Sequence, residues 1–272
     1  MPNPIKILSE NDVFQNIETL RRNRDKRNKR NEFLFEGVRN INNAIKHNWK
    51  INSFIYSPEK PLSAWAIEIL NKSKNAIRYE LSLKLLQKLS GKEETSELMV
   101  TAEIPKDDLK RIPVRENLLV VVFDRPSSPG NLGTIIRSCD ALGVHGLIIT
   151  GHAADVYDPE TVSATTGSLF SVPVVRIPSQ KQLVPWLKEA KEKLGVVQLV
   201  GTDESGQAEI DKHDFKKPTV LLVGNETSGL SVAYKEMCDA IVKIPMQGTA
   251  SSLNVASATS IVLYEINRQR MH

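Results

Sequence analysis

Three short segments of the chain combine glycine with amide, carboxylate, hydroxyl and guanidinium side chains. They are Asn131–Arg137 (NLGTIIR), Gly224–Leu230 (GNETSGL) and Ile244–Val255 (IPMQGTASSLNV). Side chains of these types bind phosphates and hydroxyl groups through charge-assisted hydrogen bonds, and the glycines let the backbone approach a ligand closely. The three segments are therefore the candidate functional site of the chain.

Several common kinds of site are excluded by motifs that the chain lacks. Neither G-x-G-x-x-G nor G-x-x-x-x-G-K-[ST] occurs, so the usual phosphate loops for dinucleotides and nucleoside triphosphates are absent, and without G-x-S-x-G a serine hydrolase is disfavoured. The two cysteines, Cys139 and Cys238, form no C-x-x-C and have no nearby histidine pair. We therefore expect no metal site and no disulfide framework, and a reducing cytoplasm fits best.

The strands that must position the three segments are nearly continuous apolar runs in the second half of the chain. The runs are 118–123, 146–150, 172–177, 196–201, 219–224 and 240–246. Helical segments are predicted between most of them, near 131–142, 181–194, 229–238 and 252–268. Strands apolar on both faces are typical of a parallel sheet covered by helices. Ligands usually bind at the carboxyl ends of such strands, which is where all three segments lie.

The first hundred residues alternate between short strand and helix patterns and predict a separate small α/β domain. Its first helix is expected to be capped by Ser9, to bury Val13, Ile17 and Leu20, and to continue into a basic block. A stretch with two prolines and seven charged residues, 105–117, is the predicted linker. The expected domains are 1–106 and 118–272, joined by a linker at 107–117.

The basic block carries most of the charge of the protein. The net charge is +4, whereas residues 21–30 alone carry +6, which leaves −2 for the rest of the chain. Such a block can neutralise nucleic-acid phosphates and release counterions; a solvated helix face is the alternative interpretation. The candidate RNA-binding residues are Arg21, Arg22, Arg24, Lys26, Arg27, Lys29 and Arg30.

The remaining composition is ordinary for a folded globular protein. The chain has 272 residues, of which 40% are hydrophobic and 25% charged, enough for one large domain or two smaller ones. No apolar run approaches the 18 or so residues that a membrane-spanning helix needs. The first residues, MPNPIKILSEND, contain no apolar segment of the kind found in secretory signals.

The three segments resemble, in this order, the motifs of the SpoU (TrmH) branch of the SPOUT RNA methyltransferases. Asn131–Arg137 is similar to the N-x-G-x-x-x-R motif of that family, and Gly224–Leu230 is similar to G-x-E-x-x-G-L. Ile244–Val255 is similar to I-P-M-x-G-x-x-x-S-L-N-V. The N-terminal stretches FLFEGVRNINNAIKHN and LSLKLLQKLSGKEETSELMVTAEI resemble the substrate-binding domain of the family, so the resemblance covers nearly the whole chain.

This resemblance implies an α/β fold in two parts. The C-terminal part is a SPOUT domain with a mostly parallel sheet and a deep trefoil knot, and it follows a small α/β substrate-binding domain that resembles RNA-binding ribosomal proteins. The implied activity is transfer of a methyl group from S-adenosylmethionine to a ribose 2′-hydroxyl of structured RNA, by a homodimer and without a metal. By analogy alone, the separate N-terminal domain favours large-subunit (23S) rRNA over tRNA.

The resemblance also implies roles for particular residues. The implied catalytic residues are Asn131, Arg137, Glu226, Ser252 and Asn254. The implied cofactor-binding residues are Thr202, Gly224, Ile244 and Leu253. A guanidinium is hard to deprotonate, so we expect the arginine of the first motif to hold the target phosphate rather than to act as a base. Glu226 is expected to orient Asn131 or Arg137, or to cap a helix near Ser228, and Ser252 to cap the last helix.

Two alternative functions remain open. One is methylation of a tRNA ribose, since tRNA and rRNA enzymes of the family share the three motifs. The other is an RNA-binding protein of the same fold without catalysis, which the intact catalytic positions argue against. All of these interpretations require the turns that hold Asn131, Glu226 and Ser252 to converge around one cavity.

Overall fold

The computed structural model describes residues 3–271, which form two compact units. The N-terminal unit contains the chain up to Pro105 together with Tyr157–Ser171, and the C-terminal unit contains Lys106–Val156 together with the chain from Val172 onward. The sequence suggested domains 1–106 and 118–272 joined by a linker at 107–117. The structure differs, because the segment 157–171 from the second half of the sequence belongs to the N-terminal unit. The predicted linker belongs to the C-terminal unit, where Ile112 is only 2% exposed.

The N-terminal unit is built on a five-stranded mixed sheet. Its elements up to Pro105 are β1 (Ile5–Ile7), α1 (Asp12–Arg22), α2 (Arg24–Arg30), β2 (Glu32–Glu36), α3 (Val38–Lys46), β3 (Ile51–Tyr56), α4 (Ala64–Lys72), β4 (Ile77–Leu81), α5 (Leu83–Ser90) and β5 (Met99–Glu103). The strand order is β1-β4-β3-β5-β2, in which β5 pairs antiparallel with β2 and β3 and the other pairs are parallel. The alternation of strands and helices predicted from the sequence is therefore present.

The first helix buries the expected apolar face but begins at a different cap. Ile17 and Leu20 are buried, together with Phe14, whereas Val13 is only half-buried. The prediction that Ser9 caps the helix is wrong, because the side chain of Asn11 accepts the hydrogen bond from Phe14 N–H at 3.0 Å. The helix ends at Arg22, two residues into the basic block, because Asn23 is extended and its side chain caps α2.

The C-terminal unit is built on a seven-stranded sheet in which every pair is parallel. The remaining elements of the chain are β6 (Leu119–Asp124), α6 (Pro129–Ala141), β7 (Gly146–Thr150), α7 (Pro159–Thr165), β8 (Val174–Ile177), α8 (Leu183–Leu194), β9 (Gln198–Thr202), β10 (Ala208–Glu209), β11 (Thr219–Val223), α9 (Val232–Met237), β12 (Ala240–Lys243) and α10 (Val255–Met271). All but α7 belong to this unit. The strand order is β10-β12-β9-β11-β6-β7-β8. The six predicted strands are all present, and β10 is a short addition at the edge.

Burial on both faces explains why the central strands are so apolar. Every residue of β6, β7 and β11 is buried. Val120 and Val122 pack in one cluster with Trp186 of α8 and Tyr234 of α9. The helices α6 and α10 pack against each other, and the hydroxyl groups of Ser138 and Ser260 share a hydrogen bond of 2.7 Å between them.

The end of α10 is fastened to the amino ends of the central strands by one arginine. Arg270 donates hydrogen bonds to four backbone carbonyls, those of Asn117, Leu118, Phe215 and Lys217, and to the hydroxyl of Thr219. These bonds use all of its nitrogens in the fixed fork of a guanidinium. The C-terminal end of the last helix is therefore held at the amino ends of the strands, and the three motif segments lie at the opposite, carboxyl ends. The trefoil knot implied by the resemblance stays a prediction.

The segment 157–171 completes an aromatic cluster of the N-terminal unit. The ring of Phe33 lies 4.8 Å from that of Tyr157, and the ring of Phe35 lies 4.7 Å from that of Phe170. Trp49 donates its indole N–H to the carbonyl of Phe170 at 3.0 Å. These contacts explain why the segment is part of this unit.

Candidate active site

The three motif segments lie at the carboxyl ends of β6, β11 and β12, where a cavity of about 660 Å³ opens. Its wall includes six of the residues that the sequence singled out: Thr202, Gly224, Glu226, Ile244, Ser252 and Leu253. Asn131 and Asn254 do not line the cavity, but both are hydrogen-bonded to the network around it. The volume is within the range of small-molecule and cofactor sites. The turns that hold Glu226 and Ser252 therefore line one cavity, whereas Asn131 is joined to it only through its hydrogen bond to Glu226.

Gly224 is required by the tight turn that follows β11. A Cβ atom at this position would lie 2.3 Å from backbone atoms of Gly229 and Leu230, which no real Cβ contact allows. The turn is closed by two hydrogen bonds of 3.0 Å between the backbones of Asn225 and Gly229. Gly224 therefore shapes the cavity wall by letting two stretches of backbone come together.

Glu226 joins this turn to the start of α6. Its carboxylate accepts hydrogen bonds from the backbone N–H of Ser127 at 2.9 Å, the hydroxyl of Ser127 at 2.8 Å and the backbone N–H of Ser128 at 3.0 Å. Burial opposes its ionisation, but these hydrogen bonds outweigh burial and hold the pKa of Glu226 below the ordinary value. An ionised carboxylate with this many donors is an anchor rather than a general base.

Asn131 connects Glu226 to the third motif. Its side-chain nitrogen donates to Glu226 at 3.3 Å, and its side-chain oxygen accepts from Nδ2 of Asn254 at 3.0 Å. The oxygen of Asn254 in turn accepts from the backbone N–H of Ala256 at 2.9 Å and caps α10. The prediction that Ser252 caps this helix is therefore wrong, and the cap is two residues further along. A chain of side-chain hydrogen bonds thus links all three motifs.

Arg137 lies two turns further along α6. Its side chain is exposed and it does not line the cavity. Within residues 3–271 its guanidinium makes no hydrogen bond or ion pair. An arginine on this face of α6 is available to a phosphate from outside the molecule. The structure thus leaves its implied role as a prediction.

Four polar residues of the site were not found by sequence reasoning. Ser127 and Asn225 secure the two turns; the amide nitrogen of Asn225 donates to the carbonyl of Arg125 at 2.7 Å. Asp203 and Lys235 form an ion pair of 2.7 Å on the cavity wall. Burial opposes the charge of Asp203, but hydrogen bonds from Lys235 and Ser205 outweigh it and lower its pKa. The only hint in the sequence was that Asn225 and Asp203 directly follow apolar strands.

Apolar side chains form another part of the wall. Ile244, Met246 and Leu253 line the cavity, and Met246 and Leu253 are each 40% exposed. All three lie between β12 and α10 in a stretch without regular structure. Exposed apolar side chains around a concave site suit a flat aromatic ligand such as a nucleobase. They provide an apolar surface beside the carboxylate of Glu226 and the ion pair of Asp203 with Lys235.

The basic block is only partly available for RNA. The side chains of Arg22, Lys26, Lys29 and Arg30 are exposed. Arg27 is 2% exposed and donates to the carbonyls of Leu20 at 2.7 Å and Arg21 at 2.9 Å. Arg27 therefore stabilises the end of α1 and does not reach a phosphate, contrary to the sequence-based expectation.

Two of the sequence-based predictions concern metal binding and membrane insertion. Among residues 3–271, no group of three or more histidine, cysteine, aspartate or glutamate side chains is arranged to hold a metal ion. No helix in the same range has the length and apolar character needed to cross a membrane. The absence of a metal from the reaction stays a prediction.

Comparison with known proteins assigns both halves of the chain. Residues 118–264 match the SpoU rRNA Methylase family, and residues 11–100 match the SpoU L30e-like domain. A 23S rRNA (uridine(2479)-2′-O)-methyltransferase of Streptomyces viridochromogenes is 50% identical over 268 residues, covering 98% of this chain and 93% of that protein.

Solved structures agree with this assignment. The SpoU methyltransferase AviRb from Streptomyces viridochromogenes, in complex with the cofactor AdoMet, has a TM-score of 0.90 and 49% identity, covering 96% of this chain and 98% of that one. An AdoMet-bound rRNA methyltransferase from Sinorhizobium meliloti has a TM-score of 0.87 and 31% identity, with 97% of each chain covered.

Fold and site together define an S-adenosylmethionine-dependent RNA methyltransferase with an N-terminal L30e-like domain. The chain belongs to the SpoU rRNA methylase family. This confirms the family resemblance, the fold class and the enzyme class that the three motifs predicted.

Proposed function

We propose that this protein methylates a ribose 2′-hydroxyl of 23S rRNA with S-adenosylmethionine as the donor. The observation that carries the proposal is the hydrogen-bonded chain from Glu226 through Asn131 to Asn254, which ties the three motifs together beside the cavity. The rRNA substrate is supported by the activity named for the relative that is 50% identical.

The residues of the cavity fit this donor. Ile244 and Leu253 provide apolar contacts for an adenine ring, while Thr202 and the turn at Gly224 bring hydroxyl and backbone groups to the same wall. Asp203 and Glu226 both have lowered pKa values, and together with Glu204 they outnumber the lysines of the wall, Lys235 and Lys243, by one charge. Negative charge favours a sulfonium cation over its neutral product. When bound, the donor supplies an electrophilic methyl group that needs no metal activation.

The protein contributes mainly by holding the reacting groups in line, which can account for about 7–11 kcal/mol of a barrier. Arg137 binds the phosphate of the target nucleotide and so places its 2′-oxygen toward the cavity. Ser252 and Asn254 lie at the start of α10, where they orient the hydroxyl. The new O–CH₃ bond forms as the S–CH₃ bond breaks, and the hydroxyl proton passes to the phosphate or to a water molecule. The 2′-hydroxyl is also the group that distinguishes RNA from DNA.

The N-terminal unit binds the RNA in this proposal. The exposed basic side chains at positions 22, 26, 29 and 30 supply phosphate contacts that do not depend on sequence. Recognition of structured RNA then comes from the shape of the L30e-like domain.

We also infer a homodimer that operates in the cytoplasm. Tyr264 and Ile261 of α10 are 62% and 39% exposed, and an apolar helix face of this kind suits a second copy of the chain. The free cysteines Cys139 and Cys238 suit a reducing compartment. Sedimentation at micromolar concentration tests the dimer: a single species of one-chain mass would refute it.

Transfer of a radiolabelled methyl group tests the activity. Purified protein and labelled S-adenosylmethionine are incubated with unmodified 23S rRNA transcript in one reaction and with bulk tRNA in another. We expect label in the 23S transcript at one ribose position that resists alkaline hydrolysis. Label in tRNA alone would support the tRNA alternative, and RNA binding without label in either substrate would support the non-catalytic alternative.

A further inference from the structure

Arg125, the first residue after β6, is held in a strained backbone conformation. Its φ is +52°, in the left-handed region that residues other than glycine rarely adopt. Its N–H donates to the carbonyl of Thr150 at 3.0 Å, and its own carbonyl accepts from the amide of Asn225 at 2.7 Å. Strain that the surroundings enforce in this way collects at functional sites.

The guanidinium of Arg125 is fixed as firmly as its backbone. Nε and Nη2 donate to the two oxygens of Asp124 at 3.1 and 2.9 Å. Asp124 is 3% exposed and also accepts from the backbone N–H of Ser231 at 3.1 Å. The stem of the arginine crosses Gly151, where a Cβ atom would lie 2.7 Å from its Cγ. The side chain is thus positioned before any substrate binds.

This arrangement leaves part of the guanidinium unused. An arginine has five N–H donors, and the bonds to Asp124 use Nε and Nη2. Nη1 has no partner among residues 3–271, and the side chain is 39% exposed. Nη2 also lies 3.5 Å from the carbonyl of Gly229, a residue of the cavity wall. The free donors therefore lie beside the candidate active site.

We propose that Arg125 is a positioning residue that binds a backbone phosphate of the RNA through Nη1, next to the target nucleotide. The inference rests on the proposed function, because it requires an RNA substrate. A guanidinium held by a carboxylate on one edge presents its other edge to an anion with little loss of conformational entropy. Its hydrogen bond to Asp124 also raises the pKa of Arg125, so it stays charged.

The test compares Arg125→Gln with Arg176→Gln in the full-length protein. Arg176 is a matched control because it makes a similar ion pair, with Asp107 at 2.9 Å, on β8 of the same unit. Binding of unmodified 23S transcript is measured over a salt series, and binding of S-adenosylmethionine is measured alone. For Arg125→Gln we expect about tenfold weaker RNA binding and a salt slope smaller by about 0.7–0.9, the value of one lost phosphate contact. Donor affinity should be unchanged, and Arg176→Gln should match the wild type in every measurement.

The outcomes separate this inference from the proposed function. A wild-type protein that binds no donor and labels no RNA refutes the function. An active wild type, together with an Arg125→Gln variant of normal RNA affinity and salt slope, refutes only the role of Arg125. If Arg125→Gln does not fold, the same RNA-binding measurements are made on Arg125→Lys. This variant keeps the charge but loses the fork of donors, so we expect a normal salt slope with severalfold weaker RNA binding. Normal RNA affinity of folded Arg125→Lys would refute the role.

Discussion

Replacing Glu226 with glutamine tests whether an ionised carboxylate holds the site together. The carboxylate accepts from two groups of Ser127 and from the N–H of Ser128. In Glu226→Gln one oxygen becomes an NH₂ group, so at least one backbone N–H of the α6 start loses its acceptor. A hydrogen bond to a charged group contributes about 1.5–3 kcal/mol. For a unit of this size, each kcal/mol corresponds to about 2–4 °C in Tm. We therefore expect the Tm to fall by about 3–12 °C.

The lowered pKa of Glu226 also predicts how the Tm difference changes with pH. The pKa of Glu226 is lowered in the folded protein, so the stabilisation is fully present above the unfolded value of 4.5 and is lost as the pH falls through the lower folded value. The Tm difference between wild type and Glu226→Gln should therefore be constant near neutral pH and should narrow below pH 4.5.

The assay is thermal unfolding of both proteins across a pH series, with Glu204→Gln as the control. Glu204 is an exposed residue of the same cavity wall, and its carboxylate has no hydrogen bond within residues 3–271. Its replacement should change stability by less than about 0.5 kcal/mol. The reasoning is refuted if Glu226→Gln and the wild type have the same Tm at neutral pH, or if the difference between their Tm values does not change with pH.

Three further replacements test other parts of the structure. Gly224→Ala should disturb the turn at Gly229 and lower the free energy of unfolding by about 1–3 kcal/mol through overpacking. It should also weaken the binding of S-adenosylmethionine, measured by calorimetry, and unchanged affinity would contradict this. Arg270→Met removes hydrogen bonds to four carbonyls, so we expect about 3 kcal/mol or more of destabilisation in urea titrations; an equal midpoint would contradict it. Lys29→Gln should lower the salt slope of RNA binding, whereas Arg27→Met should mainly lower the Tm, because Arg27 is buried. Equal slopes for wild type and Lys29→Gln would contradict the last prediction.

The sequence was sufficient for the sheet of the C-terminal unit and for the location of the site. Strands such as Leu119–Asp124 and Thr219–Val223 are buried on both faces, so apolar runs identify them directly. The motif segments follow these strands, and parallel pairing brings their carboxyl ends to one edge. The convergence of Glu226 and Ser252 on one cavity follows from these two facts.

The features that the sequence did not predict depend on contacts between distant residues. Asn11 was missed as a cap because Ser9 has an equally suitable side chain nearby, and only the backbone path decides between them. Arg27 looks like its neighbours in the basic block, yet it points to the carbonyls at the end of α1. The ion pair of Asp203 and Lys235 joins residues 32 positions apart, with no local pattern to indicate it.

The segment 157–171 decides how this protein can be divided. The chain passes between its two units three times, after Pro105, Val156 and Ser171, so no single cut separates them. A fragment ending at Pro105 would leave the rings of Phe33 and Phe35 without Tyr157 and Phe170. Any chimera that exchanges the N-terminal unit with that of a relative must therefore transplant two separate pieces of sequence.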